Sequence, residues 1–126
     1  MHRPPDKHTP RLSPPAMARV RAYIEAHLSD AIALEDLAAA ACISRFHFAR
    51  LFRASTGCSP MQFVRQARVA RAMRVLVQAP QPISVVALDL GFFDQSHFTR
   101  TFRRMTGVSP GRFTREAAHA REEACA

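Results

Sequence analysis

Arg50 and Arg100 lie fifty residues apart in nearly the same setting, HFARLF and HFTRTF. A guanidinium can grip guanine O6 and N7 with two hydrogen bonds, and a glutamine such as Gln95 can do the same for adenine. Serine and threonine hydroxyls and further arginines suit phosphate oxygens. From Ile43 to Arg115 the chain holds twelve arginines against two acids, Asp89 and Asp94, within a chain of formal charge +8. A polyanion is the natural partner, bound less tightly as salt rises. Charge alone would equally allow a solvated basic surface.

Other chemistries find little support. The sequence offers no paired carboxylates, Ser-His-Asp set, P-loop or metal cluster, so neither an enzyme nor a cofactor is expected. His47 and His97 adjoin phenylalanines in both copies of the HF pair, and no second ligand lies at metal spacing. Packing or a backbone hydrogen bond suits them better than metal ligation. Cys42, Cys58 and Cys125 show no CxxC spacing and no even count, which fits free thiols in a reducing cytoplasm. Cys58 could sense redox state; small buried cysteines more often serve packing. No apolar run reaches the roughly 18 residues of a membrane span, so no membrane partner is expected.

The elements that must position the arginines are written twice. Residues 43–65 laid over 93–115 match at eleven of twenty-three positions, among them His47/His97, Phe48/Phe98, Phe52/Phe102 and Phe63/Phe113. Upstream the match continues with an offset of forty-nine, pairing Leu37 with Val86 and Ala38 with Ala87, so the second copy carries one extra residue. The chain therefore holds two copies of one supersecondary unit. Each ends on the same punctuation, TGCSP at 56–60 and TGVSP at 106–110. Glycine can take the left-handed conformation that closes a helix, serine caps the next one and proline fits its first turn.

No stretch alternates with a period of two, so the pattern predicts an all-α chain of about seven helices. These run from about Ala16 to Leu28, Leu34 to Ala41, Arg45 to Ser55, Pro60 to Gln78, Ser84 to Leu90, Gln95 to Met105 and Pro110 to Ala118. The first should bury Val20, Ile24 and Leu28. The long fourth should bury Phe63, Ala67, Ala70, Met73 or Arg74, and Val77, with Arg65, Arg68, Arg71 and Arg74 along another flank. Residues 1–15, rich in proline and charge, read as a flexible arm and 119–126 as a fraying tail. A first subdomain of 16–78, including the linker helix, and a second of 79–118 are expected.

Each unit has the outline of a helix-turn-helix, whose second helix enters the major groove. Ala38 and Ala87 permit close helix approach, Gly91 occupies the second turn, and Cys42 stands in its place in the first. Ser44 and Asp94 can cap the reading helices. Phe48, Leu51 and Phe52 should face the core on one reading helix, and Phe98 and Phe102 on the other. That leaves Arg45, Phe46, Ala49, Arg50 and Arg53 outward on the first, and Gln95, Ser96, Thr99, Arg100 and Arg103 on the second.

GFFDQSHFTRTFRRMTGVSPGRF, from Gly91 to Phe113, and ISRFHFARLFRASTGCSP closely resemble the DNA-binding domain of AraC/XylS-family transcription regulators. The resemblance covers about residues 16–116; Cys42 and bulky Phe93 are its departures. It implies two helix-turn-helix subdomains joined by a long central helix, in a cytoplasmic regulator that binds double-stranded DNA and activates through RNA polymerase. The matching base readers are Phe46, Ala49 and Arg50 in the first unit and Gln95, Ser96, Thr99 and Arg100 in the second. Arg45, Arg53, Arg65, Arg103 and Arg104 are the candidate phosphate contacts. A helix of nineteen residues is roughly 28 Å long, able to hold two reading helices about one DNA turn, near 34 Å, apart.

About fifteen residues precede the first helix, too few for the ligand-sensing or dimerising domain that many members carry. Either a stand-alone regulator binding DNA as a monomer or a fragment of a longer protein is expected, and the initial methionine favours the first. A helical protein-interaction module would differ by lacking salt-dependent duplex affinity. An RNA-binding module would want an exposed aromatic platform for single-stranded bases.

Overall fold

The computed structural model describes residues 10–79 and 81–125. These form seven α-helices and no strand: α1 (Pro14–Ala26), α2 (Leu34–Ala41), α3 (Arg45–Thr56), α4 (Pro60–Gln78), α5 (Ile83–Asp89), α6 (Gln95–Thr106) and α7 (Pro110–Cys125). The fold is thus the all-α arrangement expected from the repeat. Residues 1–9 of the expected arm lie outside the described residues.

The remainder of that arm is ordered into the fold. Ser13 accepts the Ala16 amide at 3.2 Å, so the helix starts at Pro14, two residues before the expected start. Proline at the first helical position loses no bond, because its missing N–H would have had no partner there. Leu12 is buried, and its amide donates to Ser55 Oγ at 3.0 Å.

The described chain divides into two compact units, one ending at Val64 and the other resuming at Arg65 and including Leu28–Ala31. The first unit buries Val20 and Ile24 of α1, Leu37 and Ala38 of α2, and Phe48, Leu51 and Phe52 of α3. Phe63 meets the Phe52 ring edge-on at 5.2 Å. The second unit packs Val69, Ala72 and Leu76 of α4 with Val86 and Ala87 of α5 and Phe92, Phe98 and Phe102. Phe113 stands edge-on to Phe102 at 5.5 Å, repeating the Phe52–Phe63 contact.

The expected buried face of α4 is corrected here. The buried residues of α4 are Pro60, Val64, Val69, Ala72 and Leu76, whereas Ala70, Arg74 and Val77 are exposed and Phe63, Ala67 and Met73 are half-buried. Both stripes are apolar at helical spacing, and the β-branched and leucine side chains of the observed one fill the second core. Three of its residues belong to that core, and the second compact unit takes up α4 from Arg65 onward.

Residues 119–125 of the expected tail continue α7, which runs through Cys125, and Ala126 lies outside the described residues. Arg121 donates to Val77 O at 2.6 Å and Gln78 O at 3.0 Å, satisfying carbonyls that the end of α4 leaves open. Arg112–Glu116 at 2.9 Å and His119–Glu123 at 3.0 Å are i,i+4 pairs along its surface.

Candidate nucleic-acid interface

The turns that lead into α3 and α6 are built alike. In the first unit Cys42 N–H donates to Ala39 O at 3.0 Å and Ile43 N–H to Ala38 O at 3.1 Å; in the second Gly91 donates to Leu88 O and Phe92 to Ala87 O, both at 3.1 Å. This pair of bonds closes a helix through a left-handed residue. Cys42 takes that role at φ +63° and Gly91 at φ +77°. Ala38 and Ala87 are buried in both copies, as close packing behind the turn requires.

Helices α3 and α6 then start on caps. Ser44 Oγ accepts the His47 amide at 3.3 Å, and Asp94 Oδ1 accepts the His97 amide at 2.7 Å. They end on matching joints: Gly57 and Gly107, at φ +83° and +87°, donate to Arg53 O and Arg103 O at 2.8 Å. Ser59 and Ser109 accept the amides of Gln62 and Arg112 at 3.2 Å, so the next helix begins capped.

The threonine of the joint is a functional part that the sequence reading passed over. Thr56 Oγ1 lies 2.9 Å from Phe52 O and 3.1 Å from Cys58 O and accepts the Cys58 amide at 3.3 Å. Thr106 repeats this with Phe102 O at 2.8 Å, Val108 O at 3.0 Å and the Val108 amide at 3.3 Å. One hydroxyl thus ties the last turn of the reading helix to the chain beyond it. Its recurrence fifty residues apart was the available signal.

These caps and joints fix which residues face outward. On α3, Phe46 and Arg50 are exposed and Ala49 is half-buried; on α6, Gln95, Ser96 and Arg100 are exposed and Thr99 is half-buried. Phe48, Leu51, Phe52, Phe98 and Phe102 are buried as their spacing predicted, joined by Thr101. Of the phosphate candidates, Arg53, Arg65, Arg103 and Arg104 are exposed. Arg45 is also exposed but engaged: it donates to Glu35 Oε1 at 2.7 Å and lies 4.9 Å from the Phe46 ring centroid. A backbone hydrogen bond, and then the Arg45 guanidinium, hold the Glu35 carboxyl below the usual carboxylate range.

Arg68 departs from the expected solvent-facing series. It is half-buried and donates from Nε to Leu28 O at 3.2 Å and from Nη2 to Asp30 O at 2.8 Å. Burial pushes its pKa down. A cation spent on two backbone carbonyls holds the loop after α1 and contributes little to an outward basic face. Its partners are some forty residues away in sequence, so spacing could not reveal them.

His97 is half-buried, with its ring 5.4 Å from that of Phe92, while His47 is exposed. Among the described residues no group of three His, Cys, Asp or Glu side chains could hold a metal ion. Nor is any helix there long and apolar enough to cross a membrane.

Comparison with known proteins agrees with this geometry. The family model described as "Helix-turn-helix domain" matches residues 37–116, both units from α2 onward. The chain belongs to this helix-turn-helix family, of the AraC type, whose members are DNA-binding transcription regulators. The regulatory protein PocR of Salmonella typhimurium is 34% identical over 80 residues, 64% of this chain and 26% of PocR. The transcriptional regulator GbdR of Pseudomonas aeruginosa is 34% identical over 90 residues, 71% of this chain and 24% of GbdR. The chain therefore spans about a quarter of the length of these relatives.

Among solved structures, the DNA-binding domain of AdpA in complex with a target DNA superposes with a TM-score of 0.80 at 34% identity, over 87% of this chain and 98% of that one. An AraC-type regulator from Chromobacterium violaceum gives 0.78 at 26% identity, over 82% and 93% of the two chains.

Proposed function

We propose that this chain binds double-stranded DNA sequence-specifically, with α3 and α6 each reading a major groove. The observation that carries this reading is the duplicated turn and cap, which leaves Arg50 and Arg100 exposed at the same position of two helices. Gln95, Ser96 and Thr99 join Arg100 as base readers, and Phe46 and Ala49 join Arg50. Arg45, Arg53, Arg65, Arg103 and Arg104 serve the phosphates. AdpA's DNA-binding domain, similar in fold, has been solved on its target DNA, which supports duplex DNA as the partner. The nineteen residues of α4 suit two adjacent grooves read by a monomer. Family membership supports action as an activator through RNA polymerase.

Selection from a random duplex pool at about 150 mM salt, where nonspecific phosphate binding is already weakened, tests the reading. Two enriched boxes about ten base pairs apart, one helical turn, are expected. Arg50→Ala should relax one box and Arg100→Ala the other, each at a cost of about 1–3 kcal/mol. A uniform loss over all sequences would make these arginines phosphate contacts. An absence of enrichment would overturn the reading for this chain. Transcription from a template carrying the selected site, with purified RNA polymerase, tests the activator role; it should rise with the protein and fall back in both variants.

A further inference from the structure

We propose that Phe93, the residue just before the N-cap of α6, is a specificity-determining residue that packs against a thymine C5-methyl beside the bases read by the first turn of that helix. Phe93 is 87% exposed, the highest value among the exposed large apolar side chains of the described residues. The second highest, Phe46 at 72%, lies in the first turn of the other reading helix. Both of the most exposed rings therefore stand at the entry of a reading helix.

Packing explains why Phe93 is left outside. An apolar residue just before an N-cap commonly folds onto the fourth helical residue as a hydrophobic staple. Before Asp94 that residue is Phe93, and the fourth helical position is Phe98. The staple is instead made by Phe92, whose ring meets Phe98 at 5.0 Å and His97 at 5.4 Å. Phe92 is buried. The core contact is filled one residue early, and the extra residue of the second copy leaves a phenylalanine in solvent with no intramolecular role.

The partner follows from what surrounds it. Helix-turn-helix proteins read bases with the N-terminal part of the second helix, and Phe93 is two residues from Gln95 and three from Ser96, both exposed. The same helix carries Arg100, Arg103 and Arg104, which favours a polyanion there. The apolar feature of the major-groove edge is the thymine methyl, to which phenylalanine is a suitable neighbour.

The proposal rests on α6 being a base-reading helix, and replacing thymine with uracil separates the two claims. Each dT of the second selected box and its flanks is changed in turn to dU, which deletes only the methyl. One replacement should weaken wild-type binding about fourfold, the share of one buried methyl. Phe93→Ser should bind more weakly and lose that sensitivity, while Phe93→Leu retains part of it. The melting temperature of both variants should match wild type, since an exposed side chain is being changed. An intact second box with no uracil-sensitive position, or a Phe93→Ser variant with unchanged sensitivity, overturns the role of Phe93 and spares α6 as a reader. No second box at all overturns both. Unchanged DNA binding with impaired transcription would assign Phe93 to a protein contact and also overturn the proposal.

Discussion

The first unit turns on Cys42 at φ +63° and the second on Gly91 at φ +77°, with the same pair of backbone hydrogen bonds on each side. Their surroundings differ. Cys42 is exposed, so its side chain has somewhere to go. A Cβ added to Gly91 would stand 2.9 Å from Leu28 O and 3.0 Å from Arg68 Nη2. A left-handed residue with a side chain costs roughly 1–2 kcal/mol in the backbone alone. The first turn tolerates that cost because nothing adds to it, and the second could not, because Arg68 and the Leu28–Ala31 loop occupy the space. The left-handed conformation thus favours glycine at both turns, and only at the second does a distant loop require it.

Gly91→Ala should therefore give the largest effect, a loss of about 2–4 kcal/mol from the left-handed penalty plus displacement of a backbone carbonyl. Amide exchange resolved by unit should show it in α5 and α6. A loss of no more than about 1–2 kcal/mol, the left-handed penalty alone, would mean that the Leu28–Ala31 loop yields freely, and the contrast between the turns would disappear.

The two joints, unlike the two turns, should respond alike. Thr56→Val and Thr106→Val keep the shape and delete a hydroxyl that donates to one carbonyl and accepts one amide, so each should cost about 1–2 kcal/mol. Losses of unfolding free energy differing between the two variants by more than about 0.5 kcal/mol, the usual limit of additivity error, would show that Cys58, whose Sγ lies 3.6 Å from Thr56 Oγ1, changes the first joint. Cys42→Gly should have the opposite sign, a gain of about 1 kcal/mol from relief of the left-handed strain, reduced by the added freedom of the unfolded chain.

What the sequence made legible was what local rules determine. The closing bonds of Gly57, Gly91 and Gly107 and the caps Ser44 and Asp94 lie within six residues, and the core phenylalanines recur at helical spacing, so each was readable. Leu12, Arg68 and Arg121 act on partners about forty residues away, where no periodicity reaches. The buried stripe of α4 fell between the two cases. The helix carries two apolar stripes, and which one is buried depends on elements whose packing no helical wheel records. For the candidate site, outward positions on α3 and α6 followed from the core pattern. Engagement of Arg45 by Glu35, ten residues earlier on another helix, did not.

That engagement is the remaining difference between α3 and α6, and it yields the smallest prediction. Where α3 starts with Arg45 bound to Glu35, α6 starts with uncharged Gln95. Removing the carboxylate in Glu35→Gln frees one guanidinium for phosphate, which should steepen the dependence of duplex affinity on salt by about one counterion. Sequence preference should stay as it was, because phosphate contacts position and do not specify. Acid should act in the same direction on the wild type. The Glu35 pKa is lowered by folding, so the ion pair persists above its unfolded pKa and is lost as pH falls through the depressed folded value. The wild type should then approach the salt slope of Glu35→Gln at low pH. An equal slope for the two proteins at neutral pH would remove Arg45 from the phosphate contacts and leave its contact with Glu35 as a brace between α2 and α3.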